Sequence, residues 1–275
     1  MTQSILSVLL LMGTTAFAEP LVIAHRGASA IAPENTAAAI REALRLGAKV
    51  IEFDVRTTRD GELVLFHDKE LDRLALRPGT IESLDWATVQ TLDVGKWFTK
   101  GSFAGEPVPR FEDAVKLCLE GGAIPLIEHK TGDAAAYARV IRALEAADRV
   151  IVQSFDWKFL AAFRQEMPVV KIGALGSKEL DAAKHSTLSG LRPDWVGWNH
   201  ADLLETDLPR VCALGARLAL WTVNDPDIAT FWLKRGADAI ITDVPDVIAG
   251  VVRWKRPVAS ASCRCFRRGA AWNRD

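Results

Sequence analysis

The chain has 275 residues, 49 % of them hydrophobic, with 34 lysines and arginines against 35 aspartates and glutamates and a formal net charge of −1. That length admits one large α/β barrel or two small domains, and the apolar share suffices for a sizeable core. Near-neutrality excludes a general attraction to nucleic acid or to an anionic membrane, so any anion recognition has to be local.

Residues 1–18 read as a signal peptide that is not part of the fold. Ile5 to Met12 is an apolar run too short to span a bilayer, and Ala16-Phe17-Ala18 has the small-x-small form of a signal-peptidase site. The usual basic start is missing, since Met1-Thr2-Gln3-Ser4 holds no Lys or Arg. The expectation is an exported protein, periplasmic or secreted, that starts near Glu19. No cysteine follows Ala18, so no lipid anchor and no stable membrane anchor is expected.

Strand and helix signals then alternate. Leu21 to Ala24 is a short apolar strand that runs into His25-Arg26-Gly27. Asn35 or Thr36 caps a helix with apolar positions Ala37, Ile40, Ala43 and Leu44, ended by Gly47. A second strand covers Val50 to Val55, and Asp60-Gly61 turns into the short run Leu63 to Phe66, followed by His67-Asp68. Residues 69–108 break the rhythm with Pro78-Gly79, Gly95, Gly101, Gly105 and Pro107 and one short helix around Ser83 to Leu92. An insertion of that length in a compact domain is usually functional.

A helix from Glu112 to Glu120 leads to the strand Ile124 to Glu128, and Asp133 caps the next helix, with Tyr137, Val140, Ile141 and Leu144 as its stripe. Further strands fall at Val150 to Val152, Val169 to Leu175, Trp195 to Trp198, Leu218 to Val223 and Ala239 to Thr242. Asp225-Pro226 starts a helix whose inner face is Ile228, Phe231 and Trp232. Cys118 and Cys212 sit in helical patterns and are expected to pack as small apolar groups. The Arg-rich tail over residues 259–275 lacks apolar period and reads as disordered. Eight main strands alternating with helices favour a (β/α)8 TIM barrel over residues 19–258, and no glycine-rich nucleotide fingerprint follows the first strand.

Ionisable groups gather at the strand ends, where barrel enzymes build their sites. His25 ends the first strand, Glu52 and Asp54 the second, Glu128 and Lys130 the third, with Trp221 and Asn224 near the seventh and Asp243 near the eighth. Alternation puts Glu52 and Asp54 on one face, placed to grip one cation, and oxygen ligands suit Mg²⁺ or Ca²⁺. Against this, both carboxylates could instead pair with Arg56 or Lys49 at the rim. Glu34 and Asn35 read as helix caps or supporting hydrogen bonders, and Ser154 as a supporting hydrogen bonder, because no G-x-S-x-G elbow surrounds it. Trp221 suits an apolar wall for substrate carbons, and Asp243 an oriented turn.

The ordered series His25-Arg26-Gly27, Pro33-Glu34-Asn35-Thr36, Glu52-Phe53-Asp54 and His67-Asp68 resembles the glycerophosphodiester phosphodiesterase family. Glu128-His129-Lys130, Gln153-Ser154-Phe155, Trp221-Thr222-Val223-Asn224 and Thr242-Asp243-Val244-Pro245 extend the likeness over roughly Leu21 to Val247. The resemblance implies a metal on Glu52, Asp54 and Glu128, catalytic histidines at His25 and His67, phosphate-binding cations at Arg26 and Lys130, and a barrel with an insertion where residues 69–108 stand. His129 departs from the family, where that position is usually aliphatic; it should face away from its neighbours and leave the chemistry alone. The expected reaction is metal-dependent hydrolysis of a small glycerophosphodiester to glycerol 3-phosphate and an alcohol, with Mg²⁺ or Ca²⁺ as cofactor. Two other readings compete. A phospholipase D-like activity on lysophospholipids or sphingolipids needs an apolar channel or docking surface, and no basic amphipathic helix is present. A non-catalytic binding protein on the same barrel should show broken motifs, whereas both histidines and all the carboxylates are intact.

Overall fold

The computed structural model describes residues 19–254. The expected leader and C-terminal tail lie outside the described residues. In chain order the elements are β1 (Leu21–Ala24), α1 (Ala37–Arg45), β2 (Val50–Thr57), β3 (Leu63–Leu65), α2 (Asp72–Ala75), α3 (Trp86–Val89), α4 (Phe111–Glu120), β4 (Ile124–His129) and α5 (Ala134–Ala143). They continue with β5 (Ile151–Ser154), α6 (Trp157–Glu166), β6 (Lys171–Gly176), α7 (Ala182–Leu191), β7 (Trp195–Asn199), α8 (Leu208–Ala213), β8 (Arg217–Trp221), α9 (Pro226–Lys234), β9 (Ala239–Thr242) and α10 (Pro245–Trp254).

Every strand but β3 is parallel to its neighbours, in the order β1-β9-β8-β7-β6-β5-β4-β2, and pairing of β1 with β2 closes the ring. The fold is therefore a closed (β/α)8 barrel. The short β3 lies antiparallel on β2, with Val55 opposite Leu65. Its parallel strands carry long apolar runs because both faces are covered. One apolar layer fills the interior: Ile23, Val50, Leu126, Ile151, Trp195 and Ile241 are all buried. Gly173 makes room there, since a Cβ would lie 3.1 Å from Gln153 Cβ and 3.6 Å from Trp195 Cβ. The larger core lies between strands and helices, and includes Phe53, Phe111, Tyr137 and Phe159 in ring-to-ring contact.

Local chemistry explains the helix starts. Thr36 caps α1 by accepting from Ala39 N at 3.1 Å, which settles the choice between Asn35 and Thr36. Asp225 accepts from Asp227 N and Ile228 N ahead of Pro226, as its sequence anticipates. The phase of α9 is different from the expectation: Ala229, Thr230 and Trp232 are buried, while Ile228 and Phe231 are 37 % and 38 % exposed. Ala229 and Trp232 lie in the main core, and α9 packs beside α10. β6 begins at Lys171 rather than Val169, because Val170 N turns back onto Met167 O and leaves Val169 exposed. Cys118 is buried as expected, whereas Cys212 is only half-buried.

The insertion folds around a small core of its own, in which Phe66, Leu71, Leu74, Ile81, Val89 and Val108 are buried. The single helix expected near residues 83–92 is two pieces, a 3-10 turn at Ile81–Ser83 and α3, with Leu84 and Asp85 extended between them. The insertion is tied to the barrel by Arg59 to Asp85, Arg56 to Glu82, and Glu106, whose Oε1 accepts from Ala38 N at 3.0 Å.

Candidate active site

After β1 the chain turns back sharply through residues in the left-handed region. Arg26 has φ 54°, Gly27 φ 81° and Asn35 φ 57°. Arg26 N donates to Glu52 Oε2 at 2.8 Å, and Gly27 N to Glu52 O at 3.1 Å. A Cβ on Gly27 would stand 2.6 Å from the backbone carbon of Ala39, so only glycine fits against α1. Gly27→Ala is therefore expected to cost roughly 2–4 kcal/mol, from left-handed strain plus overpacking. Urea unfolding of wild type and variant measures that loss.

Three carboxylates converge behind this turn. Asp54 and Glu128 are register partners on β2 and β4, and Glu52 lies on the same face of β2, two residues away. Their ligand oxygens all fall within 4.8 Å of one another, and each residue is buried. Asp54 is the best served: Asn35 Nδ2 donates to Oδ2 at 2.8 Å, Lys130 Nζ lies 3.1 Å from Oδ1 and Arg26 Nε 3.3 Å from Oδ2. Asn35 Oδ1 in turn accepts from Asp54 N, so one amide clamps both ends of this residue. Lys130 Nζ also reaches Glu128 Oε1. Arg56, a possible rim partner on sequence grounds, instead binds Glu82 and the carbonyl of His67.

Electrostatics splits the three. Burial raises the Asp54 pKa, but Lys130 and Arg26 outweigh it and pull the group well below its ordinary value. Burial, then Asp54 and Glu128, push Glu52 well up, and burial followed by Asp54 lifts Glu128 to about 7. Glu52 Oε1 is buried with no hydrogen-bond partner. A buried carboxylate oxygen of that kind, beside two more carboxylates and no sulfur or imidazole ligand, fits a hard divalent cation. An acidic metal-binding cluster is thus present.

Two histidines flank the cluster, each with Nδ1 on a carboxylate. His25 Nδ1 is 2.7 Å from Asp243 Oδ1, and His67 Nδ1 is 2.6 Å from Asp68 Oδ1. Asp243 is itself fixed, accepting from Ser29 Oγ at 2.8 Å and Asn224 Nδ2 at 2.7 Å. Asn224 Oδ1 accepts from Thr242 Oγ1 and Asp243 N, which explains why that turn carries Thr-Asp. With Nδ1 committed on both rings, Nε2 is the nitrogen left for chemistry. Burial lowers the His67 pKa, against the pull of Asp54. The cavity between the rings is lined by His25, Arg26, Glu52, His67, Glu128 and Lys130, with Phe155 and Trp221 forming an apolar wall. Those two aromatic rings meet edge to face at 5.5 Å.

The residues singled out in the sequence gather at this mouth, with one exception. Glu34 does so through Arg26, whose Nη1 donates to Glu34 Oε1 at 2.7 Å. Ser154 does not. Strand alternation turns it outward, where its hydroxyl binds the His129 carbonyl at 3.2 Å and Asp156 N at 3.0 Å. Gln153, its neighbour, faces the cavity instead. His129 likewise points outward, stacked on Phe159 at 3.5 Å with its Nε2 on Gly132 O. Asp243, read as a turn residue, is the partner of His25, and Arg73 from the insertion binds Glu34 and Asp68. No local motif announces Arg73, because it meets its partners only through the fold.

Known proteins give the same picture. The model of the glycerophosphoryl diester phosphodiesterase family matches residues 25–247. A glycerophosphodiester phosphodiesterase from Caldanaerobacter subterraneus subsp. tengcongensis is 33 % identical over 244 residues, which is 85 % of this chain and 98 % of that one. The structure of an Oleispira antarctica phosphodiesterase, in complex with the product sn-glycerol-3-phosphate, superposes with a TM-score of 0.81 at 27 % identity, over 86 % of this chain and 97 % of that one. A glycerophosphodiester phosphodiesterase from Agrobacterium tumefaciens gives a TM-score of 0.73 at 29 % identity, over 84 % of this chain and 99 % of its own. With the barrel, the acidic cluster and the matched span in agreement, the chain belongs to the glycerophosphoryl diester phosphodiesterase family.

Proposed function

We propose that the protein hydrolyses small glycerophosphodiesters to glycerol 3-phosphate and an alcohol, with a divalent cation on Glu52, Asp54 and Glu128 and with His25 and His67 as the proton-transfer pair. The observation that carries this reading is the placement of two carboxylate-oriented imidazoles on either side of the acidic cluster, in one cavity. Diester hydrolysis needs a proton removed from the attacking water and another given to the departing alkoxide. Two imidazoles, one neutral and one protonated near pH 7, supply both transfers. Asp243 and Asp68 hold the rings so that Nε2 faces the diester, and each carboxylate stabilises the imidazolium form of its partner. Arg26 offers a planar fork to the phosphoryl oxygens, and Lys130 adds a point charge. When bound, the cation acts as a Lewis acid and a template for phosphoryl and glycerol oxygens. Mg²⁺ and Ca²⁺ both suit the all-oxygen ligand set. Trp221, with Phe155, gives the carbon skeleton an apolar surface. Ser154, by contrast, supports the outer layer of the barrel.

From the insertion, Arg73 reaches Asp68 and Glu34 beside the mouth. The insertion's partly buried Trp86 and Trp97 pack on its own core. We read it as shaping the pocket for the leaving alcohol. Trimming it distal to Arg73 should change selectivity among head groups more than it changes hydrolysis of a small artificial diester, and an equal loss on every substrate would make the segment purely structural. The proposed reaction is tested with glycerophosphocholine, glycerophosphoethanolamine, glycerophosphoglycerol and lysophosphatidylcholine, assayed for the released head-group alcohol. Turnover of the small diesters is expected; cleavage of the lyso-lipid alone would favour the phospholipase D-like alternative. No described helix is long and apolar enough to cross a membrane.

A further inference from the structure

Arg73 lies on α2, inside the insertion, and every arm of its guanidinium is engaged. Nε donates to Asp68 Oδ2 at 2.6 Å, Nη1 to Glu34 Oε2 at 2.7 Å and Nη2 to Glu34 Oε1 at 2.8 Å. Each partner is already committed to the reaction centre on its other side. Asp68 Oδ1 takes His67 Nδ1 at 2.6 Å, and Glu34 Oε1 takes Arg26 Nη1 at 2.7 Å. A continuous run of alternating charge therefore joins His67, Asp68, Arg73, Glu34 and Arg26. The Arg73 backbone is anchored by Leu71 and Leu74, which are 0 % and 1 % exposed in the insertion core. Its guanidinium carbon also stands 5.7 Å from the Trp97 ring centre.

We propose that Arg73 is a positioning residue of the active site: by gripping Asp68 and Glu34 at once, it fixes the His67 imidazole and the Arg26 fork relative to each other. This rests on the acid–base reading of His67 given above. An ordinary surface ion pair would contribute little and leave turnover alone. Arg73 differs because its bidentate partner Glu34 is only 8 % exposed, and because a fork, not a point charge, spans both carboxylates. Without it, Asp68 is free to swing and the His67 ring to rotate.

The test compares wild type with Arg73→Met and Arg73→Lys, all loaded with Mg²⁺. Three readouts are needed: kcat and KM on glycerophosphocholine, the ¹⁵N signals of the His67 ring, and melting temperature. Arg73→Met is expected to fold, to lose on the order of 10- to 100-fold in kcat with a smaller change in KM, and to shift His67 from the Nδ1–H tautomer to a mixture. Arg73→Lys should recover little, since an ammonium cannot bridge both carboxylates, whereas added methylguanidinium should restore several-fold of the lost kcat in Arg73→Met. A folded Arg73→Met with wild-type kcat and unchanged His67 signals would overturn the proposal, and so would a loss that merely follows a fallen melting temperature with those signals unchanged. Normal turnover in His67→Ala, alongside a shifted tautomer in Arg73→Met, would instead remove the acid–base reading and leave the positioning intact.

Discussion

His25→Ala and His67→Ala are each expected to cut turnover by on the order of 10² to 10⁴ while the barrel stays folded. Neither ring is part of the apolar core; their side chains are 17 % and 31 % exposed at the mouth. Substrate binding should survive, because Arg26, Lys130 and the cation still hold the phosphoryl group. Groups that act as a unit are not additive, so the double variant should be little worse than the poorer single one. The wild-type pH–rate profile should be a bell, and each variant should lose one of its limbs. Histidines with a purely structural role would behave otherwise: alanine would lower the melting temperature and reduce activity only through unfolding. A stable His25→Ala protein with near-normal turnover would remove the mechanism.

The second large effect concerns the cation. Chelation is expected to abolish activity and added Mg²⁺ or Ca²⁺ to restore it, and Glu52→Ala should lose cation binding and turnover together. That variant should still fold, since it removes one of three crowded buried carboxylates and so relieves repulsion while losing one acceptor for Arg26 N. The pH dependence of cation binding has a definite sign. Burial raises Glu52, and burial followed by Asp54 lifts Glu128 to about 7, so without a cation Glu128 is in part protonated near neutrality and carries protons there. The cation must displace those protons, and its affinity should fall as pH drops through about 7, with protons released on binding. Calorimetry in two buffers of different ionisation enthalpy counts them. Full activity in excess chelator, or an affinity unchanged across that window, would contradict the metal assignment.

How much of this was legible in the sequence follows from what kind of contact each feature depends on. The strand–helix alternation and the Thr36 and Asp225 caps are local signals, and they survive folding because no tertiary contact opposes them. Glu52 and Asp54 were readable as a pair from a two-residue alternation, and β4 brings Glu128 beside them by register. Ser154 lies on the outward parity while its neighbour Gln153 faces the cavity, and a motif containing both does not say which one faces the barrel axis. The α9 stripe held at Trp232 and failed at Ile228 and Phe231, because the inward phase runs through small Ala229. Asp243 and Arg73 needed the closed barrel and the folded insertion, since 218 residues separate His25 from Asp243 and 39 separate Glu34 from Arg73.

In the proposed reaction water attacks phosphorus and the alcohol leaves with its own oxygen. Hydrolysis of glycerophosphocholine in H₂¹⁸O, with the products resolved by mass spectrometry, tests this most directly. One ¹⁸O in the glycerol 3-phosphate and none in the choline is the predicted result. Label in the choline, or glycerophosphocholine left intact by folded, cation-loaded protein, would contradict it.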